Sequence, residues 1–134
     1  MRFVDTNVLL YAASILPEEE ARRRRARELL AEPNLAVSVQ VLQEFYHQAT
    51  RTMRPGRLSD DDALRFLEPV LEMRVQAVTL GVFRNAVSIR RRFGLSYWDA
   101  AILAAARTLG CDAVYSEDMS AEQDYGGIRV VNPF

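Results

Sequence analysis

Short apolar runs alternate along this chain with longer amphipathic stretches, and that alternation narrows the fold more than any other feature. Residues 3–4, Leu35–Ser38, 75–78, Ala113–Tyr115 and 128–131 read as strands. The segments between them read as helices. Residues 7–13 form an apolar helix, and Pro17 opens a second with Glu18, Glu19 and Glu20 in its first turn and Leu29 and Leu30 near its end. A third covers about 39–53, with Val41, Leu42, Phe45, Tyr46 and Ala49 on one face. A fourth starts at Ser59 and runs through Phe66 and Leu67, with Pro69 marking a kink or a new turn. Further helices are expected at about 82–93, ended by Gly94, and 97–109, closed by Gly110. Strands separated by helices imply an α/β fold whose parallel sheet is covered on both faces. Functional residues in such sheets gather at the carboxyl ends of the strands.

With 134 residues, 49% of them hydrophobic and 26% charged, the chain suits one domain, expected to span residues 1–134, with a real core. Apolar stretches are broken by charge too often for a membrane span, and Arg2 and Asp5 interrupt the start where a signal peptide would need apolar residues. Cys111 stands alone, which excludes an intrachain disulfide and a Cys-rich zinc site. A cytoplasmic protein is the expectation. All 17 basic residues are arginine. The absence of lysine excludes Schiff-base chemistry and a P-loop. A single histidine, His47, leaves little for triads or multi-histidine metal sites. Carboxylate and arginine remain, and they point to oxygen-ligated hard metals or to no chemistry.

Four acids stand apart from the solvated faces: Asp5, Glu44, Asp99 and Asp118. Each also has a structural explanation. Asp5 suits the cap of the helix after strand one. Ser96-Tyr97-Trp98-Asp99 fits a capping box. Glu44 lies roughly 140° from the middle of its helix's apolar face, and Asp118 suits a surface turn. Together they say more. Asp5 and Asp118 fall at or just past strand ends on one sheet edge, and Asp99 is followed by Ala100, Ala101, Ile102 and Leu103. An acid in so apolar a setting is costly unless it is paired or binds a cation. Carboxylates converging without lysine or histidine repel one another, and Mg²⁺ or Mn²⁺ would relieve that repulsion with an all-oxygen shell.

Other charged clusters have plainer explanations. Asp60, Asp61 and Asp62 after Ser59 match a helix N-terminus. Glu18–Arg22, Glu19–Arg23 and Glu20–Arg24 are i,i+4 pairs on an exposed face. Arg90, Arg91 and Arg92 suit a helix C-terminus, while Arg51, Arg54 and Arg57 form a basic edge near the third helix. Glu44 and His47 match the Glu-x-x-His of a di-iron bundle, but that site needs the motif twice. A haloacid-dehalogenase phosphatase needs Asp-x-Asp-x-Thr and a later lysine, and here Asn7 holds the third position.

Phe3-Val4-Asp5-Thr6-Asn7-Val8-Leu9 resembles the opening motif of PIN-domain nucleases. Ser96-Tyr97-Trp98-Asp99-Ala100-Ala101-Ile102 is similar to that family's third acidic motif, and Val41-Leu42-Gln43-Glu44-Phe45 fits its middle acid. Ser116-Glu117-Asp118, followed by Val130-Val131-Asn132-Pro133-Phe134, resembles its C-terminal signature. The likeness spans nearly the whole chain and agrees in length with the single-domain VapC toxins of type II toxin–antitoxin pairs. It implies a five-stranded parallel sheet flanked by helices and a Mg²⁺- or Mn²⁺-dependent endoribonuclease. Asp5, Glu44, Asp99 and Asp118 would be its metal ligands and catalytic acids. Thr6, Asn7 and Ser116 would orient those ligands through hydrogen bonds. It also implies an RNA substrate, a small antitoxin partner and a homodimer, with no membrane. Arg51, Arg54, Arg90, Arg91 and Arg92 are the candidates for offsetting repulsion between the acids and RNA. No aromatic platform of the single-strand-binding type is apparent; structured or loop RNA read by shape, such as a tRNA or an rRNA loop, would be compatible. The alternative is a PIN-like module that has kept the fold as a silent RNA-binding or scaffold surface.

Overall fold

The computed structural model describes residues 1–121 and 123–134. Five strands, β1 (Arg2–Val4), β2 (Leu35–Ser38), β3 (Arg74–Gln76), β4 (Ala113–Tyr115) and β5 (Arg129–Val131), form one sheet in the order β3-β2-β1-β4-β5. Every pairing is parallel. The helices are α1 (Thr6–Ala12), α2 (Glu20–Leu30), α3 (Val39–Thr50), α4 (Asp60–Leu67), α5 (Leu80–Phe93) and α6 (Tyr97–Thr108). From β1 the chain crosses to β2 and β3 in one direction, then returns past β1 to β4. Right-handed crossovers therefore put α1–α4 on one face and α5 and α6 on the other. None of these helices is long and apolar enough to cross a membrane.

The core follows the sheet. Phe3, Val4, Ala36, Val37, Val114 and Val130 are fully buried, as expected for strands covered on both faces. In α6 the seven residues from Ala100 to Ala106 are all buried. Five of them are alanines, whose small side chains let the helix pack close to the sheet, and Ile102 and Leu103 fill the core between. On the other face Val8, Leu9, Leu29, Val41 and Phe45 complete the core, and Phe45 stacks on Phe66 at 5.0 Å.

Several element ends differ from the sequence expectation for local reasons. The third strand ends at Gln76 because its last partner is Ser38, and Ser38 leaves the sheet to cap α3. Helix α3 stops at Thr50, since Arg51 is extended and the returning chain at Leu58 donates to the Ala49 carbonyl. Thr79 caps α5 by accepting from Val82 N, so that helix starts two residues early. Pro17–Glu19 is a 3₁₀ turn leading into α2. Gly94 closes α5 in the left-handed region at φ 68°, where a Cβ would be strained.

Candidate active site

Strand order reverses between β1 and β4, and this switch point is where open α/β sheets leave a crevice at their carboxyl ends. Asp5 follows β1 directly, and Ser116 and Asp118 follow β4. The first residues of α1 lie here, while α3 brings Glu44 from one face and α6 brings Asp99 from the other. Four elements thus deliver four acids to one edge of the sheet.

Asp5 is the N-cap of α1 and accepts from Thr6 N at 2.7 Å. Its other carboxylate oxygen accepts from Ser116 Oγ at 2.8 Å. Asn7 Nδ2 donates to Asp118 at 3.0 Å and approaches Ser116 Oγ at 3.4 Å, while Ser116 Oγ also accepts from Asp118 N at 3.1 Å. A continuous hydrogen-bonded chain therefore joins Asp5, Ser116, Asn7 and Asp118. Thr6 Oγ1 donates to Glu44 Oε2 at 2.7 Å, and Gln40 Nε2 donates to Glu44 Oε1 at 2.9 Å. The same Gln40 amide donates to the Trp98 carbonyl at 3.2 Å, one residue before Asp99. Ser96 caps α6 by accepting from Asp99 N at 3.2 Å, so the capping role read for Ser96 is real.

The electrostatics match the crowding. Asp5 is only 5% exposed, and burial pushes its carboxyl from 3.8 to about 6 against its hydrogen bonds to Ser116 and Thr6. The charges of Asp118 and Glu44 raise it further. Asp99 is raised as well, first by burial and then by the same two acids, against its hydrogen bond with Ser96. Each of these acids senses others across the crevice. Among the described residues none of the four takes part in an ion pair. The crevice opens as a cavity of about 450 Å³ lined by Thr6, Asn7, Leu10, Glu44, Gln48, Trp98 and Asp118.

The donor set fits a hard divalent cation: every candidate ligand is a carboxylate, and no arginine supplies the missing positive charge. The arrangement is open rather than closed. Among the described residues no three of these side chains stand together as a ready metal cluster. Ser116, Asn7 and Thr6 mediate the approaches instead.

The basic residues are dispersed. Arg54 borders a narrow crevice that shares Leu10 with the acidic cavity. Arg51 is exposed at the end of α3, and Arg90 and Arg91 are exposed in the last turn of α5. Arg92 lies beside Gly126, in the turn before β5 and so toward the opposite end of the sheet. Of the three expected i,i+4 pairs, only Glu20–Arg24 is present, at 3.4 Å. Arg22 turns instead to Glu117 at 2.7 Å and lies over the Tyr11 and Phe134 rings. Those rings meet edge to face, which anchors the C-terminal residues against α1. Gln40 and Trp98 were not among the sequence candidates. An amide four residues before an acid on one helix is the only signal that could have singled out Gln40.

Residues 2–123 match the PIN domain family. No curated protein matches the chain. Among solved structures, it resembles Mycobacterium tuberculosis VapC20, described as a Sarcin-Ricin loop cleaving toxin, at 24% identity and TM-score 0.68, covering 88% of this chain and 90% of that one. A toxin–antitoxin complex from Klebsiella pneumoniae matches at 21% identity and TM-score 0.70, over 100% and 98% of the two chains. VapBC2 from Rickettsia felis, bound to a DNA fragment from its promoter, matches at 12% identity and TM-score 0.66, over 98% of each. At these identities the likeness establishes a shared fold.

Proposed function

The chain belongs to the PIN domain family, and from that premise we propose that it is a metal-dependent endoribonuclease, the toxin of a toxin–antitoxin pair. One observation carries the reading: four carboxylates from four elements are carried to the switch point of the sheet close enough to raise one another's pKa, and among the described residues none has a cationic partner. A silent scaffold gains nothing from keeping acids whose charges oppose one another.

Asp5, Glu44, Asp99 and Asp118 would hold Mg²⁺ or Mn²⁺. When bound, such an ion polarises a phosphodiester and lowers the pKa of water for attack in line. The chain's own residues supply order. Ser116 keeps one Asp5 oxygen oriented, Asn7 steadies Asp118, and Thr6 with Gln40 holds both oxygens of Glu44. Prior fixing of these groups avoids reorganisation during reaction. The products would carry 5′-phosphate and 3′-hydroxyl ends. An antitoxin, a homodimer and a cytoplasmic setting accompany this reading.

The test is cleavage of total RNA with and without Mg²⁺ or Mn²⁺, with the cut sites mapped. Asp99→Asn should lower the cleavage rate at least 100-fold without lowering the melting temperature. Wild-type cleavage by that variant would exclude the assignment. If activity merely tracks the folded fraction, Asp99 serves only to start the helix.

A further inference from the structure

Trp98 is the only tryptophan in the chain, and 64% of it is exposed. An indole ordinarily gains by burial, so a ring left in solvent beside a charged crevice calls for an occupant. It lines the same cavity as Glu44 and Asp118 and immediately precedes Asp99. Its place is fixed from two sides. Gln40 holds its carbonyl while donating to Glu44, so one amide ties the indole's backbone to an acid of the site. Tyr97 meets the indole nearly at right angles, 80° between planes and 5.0 Å between centroids. Among the described residues no ring stacks in parallel on Trp98 and no guanidinium lies over it.

The geometry points to Trp98 as the stacking platform for one unpaired nucleobase of an RNA strand whose backbone enters the acidic cavity. This inference rests on the nuclease reading and adds to its site a residue that contacts a base and favours an unpaired one. The charge balance leaves an RNA occupant in need of contacts that do not depend on charge. RNA brings phosphates toward four acids, and the net charge of −1 gives no general attraction. Base–aromatic stacking adds affinity without involving charge. Inside a duplex both faces of each base are already stacked, so an unpaired base takes up the ring far more readily than a paired one. This proposal departs from the expectation that the chain lacks an aromatic platform. The platform is a lone ring made available by its neighbours in space, which no run of aromatic residues announces.

Because Trp98 is the sole indole, its fluorescence reports on itself. We would titrate the full-length protein in Ca²⁺ at low salt with a mixed-sequence RNA decamer, single-stranded or annealed to its complement, and confirm on a gel that the RNA stays intact. The single strand should quench the emission to saturation and the duplex should leave it unchanged. By anisotropy of the labelled decamer, Trp98→Ala should bind about 5- to 100-fold more weakly, with Trp98→Phe in between. Equal binding by Trp98→Ala, or equal quenching by duplex, overturns the proposal. So does a halved mass of Trp98→Ala in light scattering, which would make the ring a contact between two copies. Saturable quenching without cleavage in Mg²⁺ or Mn²⁺ keeps the platform and rejects the nuclease.

Discussion

Asp5 shows at a single residue how a site stores an unfavourable interaction. The β1–α1 junction makes it a helix cap, and the parallel neighbours bury it until only 5% remains exposed. Folded Asp5 keeps its proton up to about pH 6, whereas its ordinary value is 3.8. The folded state thus binds the proton more tightly. This stabilisation is complete below about pH 4 and is lost as pH rises through 6, a loss of about 3 kcal/mol. In EDTA, wild-type stability measured by thermal unfolding should fall between pH 4 and 7 relative to Asp5→Asn. The variant, having no charge to bury, should be the more stable protein at pH 7. A constant difference across that range would show that Asp5 is not held protonated. The motif around Asp5 was readable from sequence; its burial was not, because burial depends on β4 and the Ser116 loop arriving 111 residues later.

At the scale of the element, α6 carries two roles in one turn. Ser96 satisfies one free N–H of the helix, that of Asp99, while the Asp99 carboxylate feels the charges of Asp118 and Glu44. The capping box and the catalytic acid are therefore compatible readings of the same four residues. Removing the cap with Ser96→Ala should cost about 0.5–2 kcal/mol in denaturant unfolding. Cleavage should survive below the new melting temperature, in contrast to Asp99→Asn. Loss of cleavage in a folded Ser96→Ala protein would mean that the serine orients the acid and does not merely start the helix. Helix α3 explains why Glu44 looked remote from function. Its angle was measured from the helix's own apolar face, marked by Val41, Phe45 and Ala49, and that face meets the core. Glu44 is on a flank that only the packing of α1, through Thr6, turns into part of a site. Tyr46, expected on the apolar face, is instead 38% exposed and donates to Asp60 at 2.7 Å.

Across the whole molecule, the distribution of arginine decides how an almost neutral protein could hold an anion near four acids. Arg54 borders the acidic side, while Arg92 sits by the Gly126 turn near the amino end of β5. Gly126, at φ 69°, lies where any Cβ would overlap the Arg107 guanidinium, which donates to the carbonyls of Tyr125 and Gly126. That end of the sheet is thus organised around its own structure. Arg54→Ala should flatten the salt dependence of RNA binding by about 0.7 in log–log slope, the share of one phosphate contact on a single strand. Arg92→Ala should leave the slope unchanged. Affinities measured from about 50 to 200 mM salt decide between them, and the reverse pattern would place the RNA on the far end.

The periodicity of the chain determined the class of fold, the five strands and the order of helices, because apolar spacing and capping act over a few residues. Local chemistry also marked Asp5, Asp99 and the capping Ser96, while Ser116 was named only through the family resemblance. The tertiary structure alone decided which acids share a crevice, that Arg22 would leave its helix neighbour for Glu117, and that Trp98 would stay uncovered. The first two outcomes depend on the reversal of strand order between β1 and β4. That reversal joins groups 95 to 111 residues apart, and no window of sequence contains both halves of such a contact.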